Sequence, residues 1–136
     1  MGVTGLHHVG MFVQDSGVYE RTVTFYREVI GLAPVRQWSS PPRHITMLDF
    51  GNGGLLEIVR GAEGEGSGVF AHIALALGAP EDVDAMLERC AAWGCEVTRP
   101  AGTVEAAEEG SGRIFRFRNG FCRGPAGESL EFFCEF

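Results

Sequence analysis

Two short stretches of alternating small and bulky apolar residues repeat along the chain, each behind a histidine. His8–Val13 reads HVGMFV and His72–Leu77 reads HIALAL. Each reads as a β-strand and each leads into a helical pattern. The first helix is capped near Asp15 or Ser16 and runs through VYERTVTFYREVI to Gly31. The second opens on Pro80, Glu81 and Asp82 and runs through VDAMLERCAAW to Gly94. Proline and acids in the first turn, with glycine past the last, are the expected punctuation of a helix. Histidine to closing glycine spans 23 residues in the first half and 22 in the second.

Strand-like segments follow each helix, about three per half. The last of them repeats as Gly-x-x-Leu-Glu, at Gly53–Glu57 and Gly127–Glu131. The pattern therefore predicts an α+β chain of two modules, each strand, helix and three strands. Their bounds are 1–62 and 68–136, joined by the linker GAEGEGSG at 61–68. RIFRFRNGFCRG, 113–124, reads as one bulged strand or as two. WSSPPRH, Trp38–His44, reads as a loop over a cavity mouth.

Side chains two apart on a strand share a face. His8, Gly10 and Phe12 oppose Val9, Met11 and Val13, while His72, Ala74 and Ala76 oppose Ile73, Leu75 and Leu77. The bulky faces suit packing under helices. In the closing strands Leu56 and Ile58 oppose Glu57, and Leu130, Phe132 and Cys134 oppose Glu131. Burying an isolated carboxylate is costly unless it is paired or metal-bound. His8, Glu57, His72 and Glu131 all fall on the face turned from the helices. If that face is concave, they form a two-histidine, two-glutamate set suited to zinc, nickel, cobalt, manganese or iron(II). His7 points the other way, as a structural or exposed residue. His44 reads as a loop-edge residue.

Composition narrows the chemistry further. The net charge of -7 argues against nucleic acid or an anionic membrane surface as partner. All eleven basic residues are arginine, which removes lysine Schiff-base and lysine general-base chemistry. No apolar run approaches the roughly 18 residues of a membrane span, and the first residues do not resemble a signal peptide, so a cytoplasmic protein is expected. Cys90, Cys95, Cys122 and Cys134 match no zinc or redox spacing and read as reduced thiols. Phe12, Met47, Phe50 and Phe133 are candidates for an apolar substrate wall. Arg113, Arg116, Arg118 and Arg123 either grip an anionic substrate, with Arg116 the leading candidate, or line a solvated strand face.

LHHVGMFVQD, FYREVIGL, LLEIV, FAHIALAL and GPAGESLEFF occur in the order seen in the vicinal oxygen chelate superfamily, the glyoxalase, bleomycin-resistance and extradiol dioxygenase group, which the chain resembles over nearly its whole length. The resemblance implies paired βαβββ modules, with curled mixed sheets around a metal cavity. It also implies a homodimer, with sites inside one chain or across the subunit interface. His8, Glu57, His72 and Glu131 match the four-ligand set of glyoxalase I, implying one divalent ion per site and a metal-dependent lyase or isomerase. Glu131 is then the first candidate for the catalytic base and Glu57 the alternative. The chain departs from the glutathione-binding pattern, with Phe12 and Gly61 where arginine and asparagine are usual. Other branches of the superfamily, dioxygenase or epimerase, and a non-catalytic binding protein of bleomycin-resistance type are the rival readings.

Overall fold

The computed structural model describes residues 8–61, 72–107 and 111–136. The chain divides into two compact units, residues 1–68 and 69–136. His7 and the linker residues 62–68 lie outside the described residues.

In the first unit β1 (His8–Val13) leads into α1 (Ser16–Phe25), and a π-helical segment, Tyr26–Ile30, extends that helix. Asp15 is the cap, its Oδ1 accepting from the Val18 N–H at 2.9 Å. Gly31 ends the segment at φ 87°, a left-handed conformation that glycine adopts without a Cβ penalty. Three strands follow, β2 (Ala33–Ser40), β3 (Arg43–Asp49) and β4 (Leu55–Arg60). The sheet order is β1-β4-β3-β2, with β1 and β4 parallel and the other pairs antiparallel.

Trp38–His44 is not a loop. It is the tip of the β2–β3 hairpin, with strand on both sides of a turn at Pro41-Pro42, whose peptide bond is cis. The cross-strand partners Trp38 with Ile45 and Ser39 with His44 carry the ladder right up to the two prolines. His44 is accordingly a strand residue. Its Nδ1 lies 2.8 Å from Ser39 Oγ, and its ring meets Tyr19 edge-on at 5.7 Å.

The second unit repeats the plan. β5 (Ile73–Ala76) precedes α2 (Pro80–Trp93), then β6 (Val97–Ala107), β7 (Ile114–Arg123) and β8 (Ser129–Glu135), in sheet order β5-β8-β7-β6. Gly94 closes α2 at φ 109°. RIFRFRNGFCRG contains a single strand, β7. The irregularities fall on its partner β6, between Val97 and Arg99 and between Arg99 and Gly102. Pro100, which has no N–H to give the ladder, lies inside that irregular stretch.

Each helix covers one sheet face. Tyr19, Thr22, Val23 and Phe25 of α1 are buried, as are Met11, Val13, Leu48, Leu56 and Ile58 of the strands. Val83, Leu87 and Cys90 of α2 are buried, as are Cys122, Leu130, Phe132 and Cys134. Among the described residues no helix is long and apolar enough to cross a membrane.

One ion pair ties α2 to its sheet. Arg118 Nε and Nη2 donate to Asp84 Oδ2 and Oδ1 at 2.5 and 2.6 Å, and Nη1 reaches Thr103 Oγ1 at 3.0 Å. Those donations hold the Asp84 carboxyl below its ordinary 3.8. A depressed carboxyl stabilises the fold above its unfolded-state value and loses that contribution as pH falls through the folded value. Asp84→Asn should therefore be less stable than the parent at neutral pH, and the gap should close in the acid below about pH 4. Urea unfolding of both proteins at the two pH values measures it.

Candidate functional site

In the second unit the carboxylate is held from both sides. His72 stands immediately before β5, and its Nε2 lies 2.9 Å from Glu131 Oε2. The amide of Asn119 on β7 donates to Glu131 Oε1 at 2.8 Å. Ladder register explains the meeting: Ala74 and Phe121 both pair with Glu131, and Asn119 pairs with Phe133 two residues on. Glu131 is 8% exposed and Asn119 6%, so these contacts supply most of what water would otherwise give the charge. A carboxylate only accepts, so Asn119 must turn its NH₂ toward it. Its Oδ1 is then left buried with no hydrogen-bond partner.

Aromatic rings extend the same face. Phe121 meets the His72 ring edge-on at 5.4 Å, Phe117 stacks on Phe133 at 5.1 Å and Phe115 on Phe117 at 6.1 Å. Phe133 was expected there. Asn119, Phe117 and Phe121 were not, although the alternation in RIFRFRNGFCRG puts all three on one face.

The arginines have local partners. Register puts Arg116 and Arg118 on the face opposite Glu131. Arg116 lies 3.7 Å from Glu105 and stacks over Phe136 at 4.9 Å. Arg113 lies 3.7 Å from Glu135, and Arg123 4.0 Å from Glu96.

The first unit holds the matching pair. Gly10 of β1 is the register partner of Glu57 in β4, with His8 one same-face position earlier. A Cβ on Gly10 would sit 3.6 Å from Glu57 Oε1, so the carboxylate leans across β1 where the glycine leaves room. Met47 of β3 flanks Glu57 on the other side and is buried in a cluster with Ile45 and Val59, against which Leu55 packs. Phe12 shares the face of His8 and is 51% exposed. Phe50 follows β3, half-buried, its N–H closing the turn onto the Gly54 carbonyl at 2.9 Å.

The donor chemistry suits a borderline divalent ion. Imidazole nitrogen and carboxylate oxygen each bind such ions at about 2.1 Å, and two such ligands at right angles stand about 3 Å apart. The 2.9 Å between His72 Nε2 and Glu131 Oε2 matches that spacing. Asn119 is the kind of outer partner that orients a ligating carboxylate. Among the described residues, no three His, Cys, Asp or Glu side chains form a group that could hold a metal ion. Each unit places one histidine and one glutamate on the same sheet face.

The model of the Glyoxalase/Bleomycin resistance protein/Dioxygenase superfamily matches residues 5–132. The chain belongs to that superfamily. Among solved structures it is similar to a trypanothione-dependent glyoxalase I from Leishmania major, at 21% identity and TM-score 0.65, over 96% of this chain and 86% of that one. It is also similar to a glyoxylase/bleomycin resistance protein/dioxygenase domain from Frankia sp., at 16% identity and TM-score 0.73, over 99% and 100%. A glyoxalase I variant from Zea mays matches at 22% identity and TM-score 0.63, but the alignment covers 94% of this chain and only 43% of that one. At these identities the superfamily structures share a fold with this chain. No curated protein matches the sequence.

Proposed function

We propose that this superfamily member is a divalent-metal-dependent lyase or isomerase of glyoxalase type, acting on a small oxygenated substrate. The observation that carries the reading is the buried Glu131 carboxylate held between His72 and Asn119. His8, Glu57, His72 and Glu131 would hold the ion, nickel, cobalt or zinc ahead of manganese or iron, in a shell completed within one chain or by a second copy in a homodimer. When bound, the ion supplies Lewis acidity toward a substrate oxygen.

The rest falls to the chain's own residues. Glu131, once its Oε2 is released from coordination, would take a proton α to the substrate carbonyl at that oxygen, while Asn119 retains Oε1. Glu57 is the alternative base. Phe12, Phe117 and Phe133 offer apolar surface to the substrate's carbon frame. Glutathione is not part of the reading, because Phe12 and Gly61 provide no polar side chain for it.

Metal analysis of protein purified without chelator, followed by an assay of the reloaded protein with methylglyoxal and several thiols, tests this. Stoichiometric metal and turnover are the expected results. Metal with turnover by none of the thiols removes the glyoxalase reading and points to another branch. Absence of metal uptake leaves a binding protein.

A further inference from the structure

A four-residue row crosses each sheet on the face turned from its helix. In the second unit the register runs Ala74, Glu131, Phe121, Arg99, from β5 through β8 and β7 to β6. In the first it runs Gly10, Glu57, Met47, Arg36, from β1 through β4 and β3 to β2. Each row is thus a small residue, the glutamate, a large apolar residue and an arginine. Each arginine stands at an irregularity of the edge strand, where a bulge re-aims the side chain. Pro100 fixes Arg99 further, because the residue before a proline is held extended. Only the second row carries an aromatic ring. Phe121 meets the His72 ring edge-on at 5.4 Å, and the Arg99 guanidinium carbon lies over Phe121, 5.8 Å from its centroid. That contact occupies a face of the guanidinium and leaves its N–H edge for a planar anion. Arg99 is exposed and, among the described residues, forms no ion pair. Arg113, Arg116, Arg118 and Arg123 each have a carboxylate within 4.0 Å.

We propose that Arg99 is a specificity-determining residue of this site, and that the substrate is a carbonyl compound with a carboxylate at its far end. The inference rests on the metal-dependent reading above and adds the substrate's charge to it. Two ladder spacings, about 10 Å, separate the backbones of Glu131 and Arg99, and Phe121 fills the interval. A substrate with its reacting oxygens at His72 and Glu131 lies along that ring and ends at the guanidinium. A flat, apolar spacer suits the surface. Arginine and carboxylate pair through two parallel hydrogen bonds, which fix the orientation of the far end as well as its charge. In a chain of net charge -7, which repels anions at a distance, an arginine without an acidic partner is the group that admits one.

Calorimetric titration of the nickel-loaded full chain with two aromatic hydroxamic acids tests this. The hydroxamate chelates the ion through two oxygens, and the ring carries either a 4-carboxyl group or a neutral 4-carbamoyl group of the same shape. The carboxyl compound should bind at least about 10-fold more tightly, the gain expected of a hydrogen-bonded charge. Arg99→Met should bring that ratio to about one and leave the carbamoyl affinity as it was. Arg99→Lys should keep part of the ratio, and Arg116→Met, on the opposite face, all of it. Carbamoyl binding that is indifferent to nickel would overturn the metal reading and this inference with it. Nickel-dependent binding with a ratio near one in the parent would overturn this inference alone. So would a ratio that survives Arg99→Met, or one lost in Arg36→Met and kept in Arg99→Met.

Discussion

Replacing Glu131 by glutamine is expected to lower affinity for nickel or zinc by at least about 100-fold, the upper range seen when only an outer partner of a ligand is lost. The fold should survive. Glutamine has the same length, and Asn119 can rotate its amide to meet the new NH₂ with the Oδ1 that now lacks a partner. Loss of metal with an unchanged unfolding midpoint would then report coordination alone. Asn119→Leu removes the orienting hydrogen bond and keeps the ligand, so a smaller drop of roughly 10- to 100-fold is expected. Isothermal titration of the apo proteins gives both numbers. If Glu131→Gln binds as tightly as the parent, Glu131 is not a ligand, and the 2.9 Å contact with His72 is an ion pair only.

Gly120→Val should be the most destabilising single change at a glycine of the second sheet. A Cβ there would clash with Leu87 Cδ1 and lie 3.2 Å from the Ala101 N and Cα. The leucine methyl can swing aside, but Ala101 is backbone in β6, and it retreats only if β6 parts from β7. Overpacking of this kind costs about 1–3 kcal/mol for a few added atoms, and valine should reach the top of that range. Gly102→Ala is the control, since its Cβ meets nothing within 4 Å. It should be neutral or stabilising by up to about 1 kcal/mol, through reduced freedom of the unfolded chain. Urea midpoints separate the two. Because Gly120 lies between Asn119 and Phe121, the valine variant should also lose metal affinity beyond its stability loss.

What the sequence revealed was local or repeated. Asp15, Gly31, Pro80 and Gly94 announce the helix ends because each acts on its neighbours in the chain. The strand faces of His8, Glu57 and Glu131 followed from alternation, and the repeat brought the two histidines and two glutamates into one list. What stayed hidden depends on register between distant strands. Nothing near Asn119 says that it faces Glu131 until β7 is paired with β8. The proline pair conceals its strands for a related reason. Two prolines look like a break, but here they are the turn itself, and the strands run up to them on both sides.

The pairing of β1 with β4 is parallel and joins the two ends of the first unit, as β5 with β8 does in the second. Contacts so far apart in sequence are slow to form, because a long loop must close before they return any stabilisation. In each unit the histidine stands at the start of the opening strand or just before it, and the glutamate on the closing one. Neither pair can meet until nearly the whole module has been synthesised and folded. If the proposed ion binds, its capture belongs at the end of folding, and it would act as a seal on modules already complete.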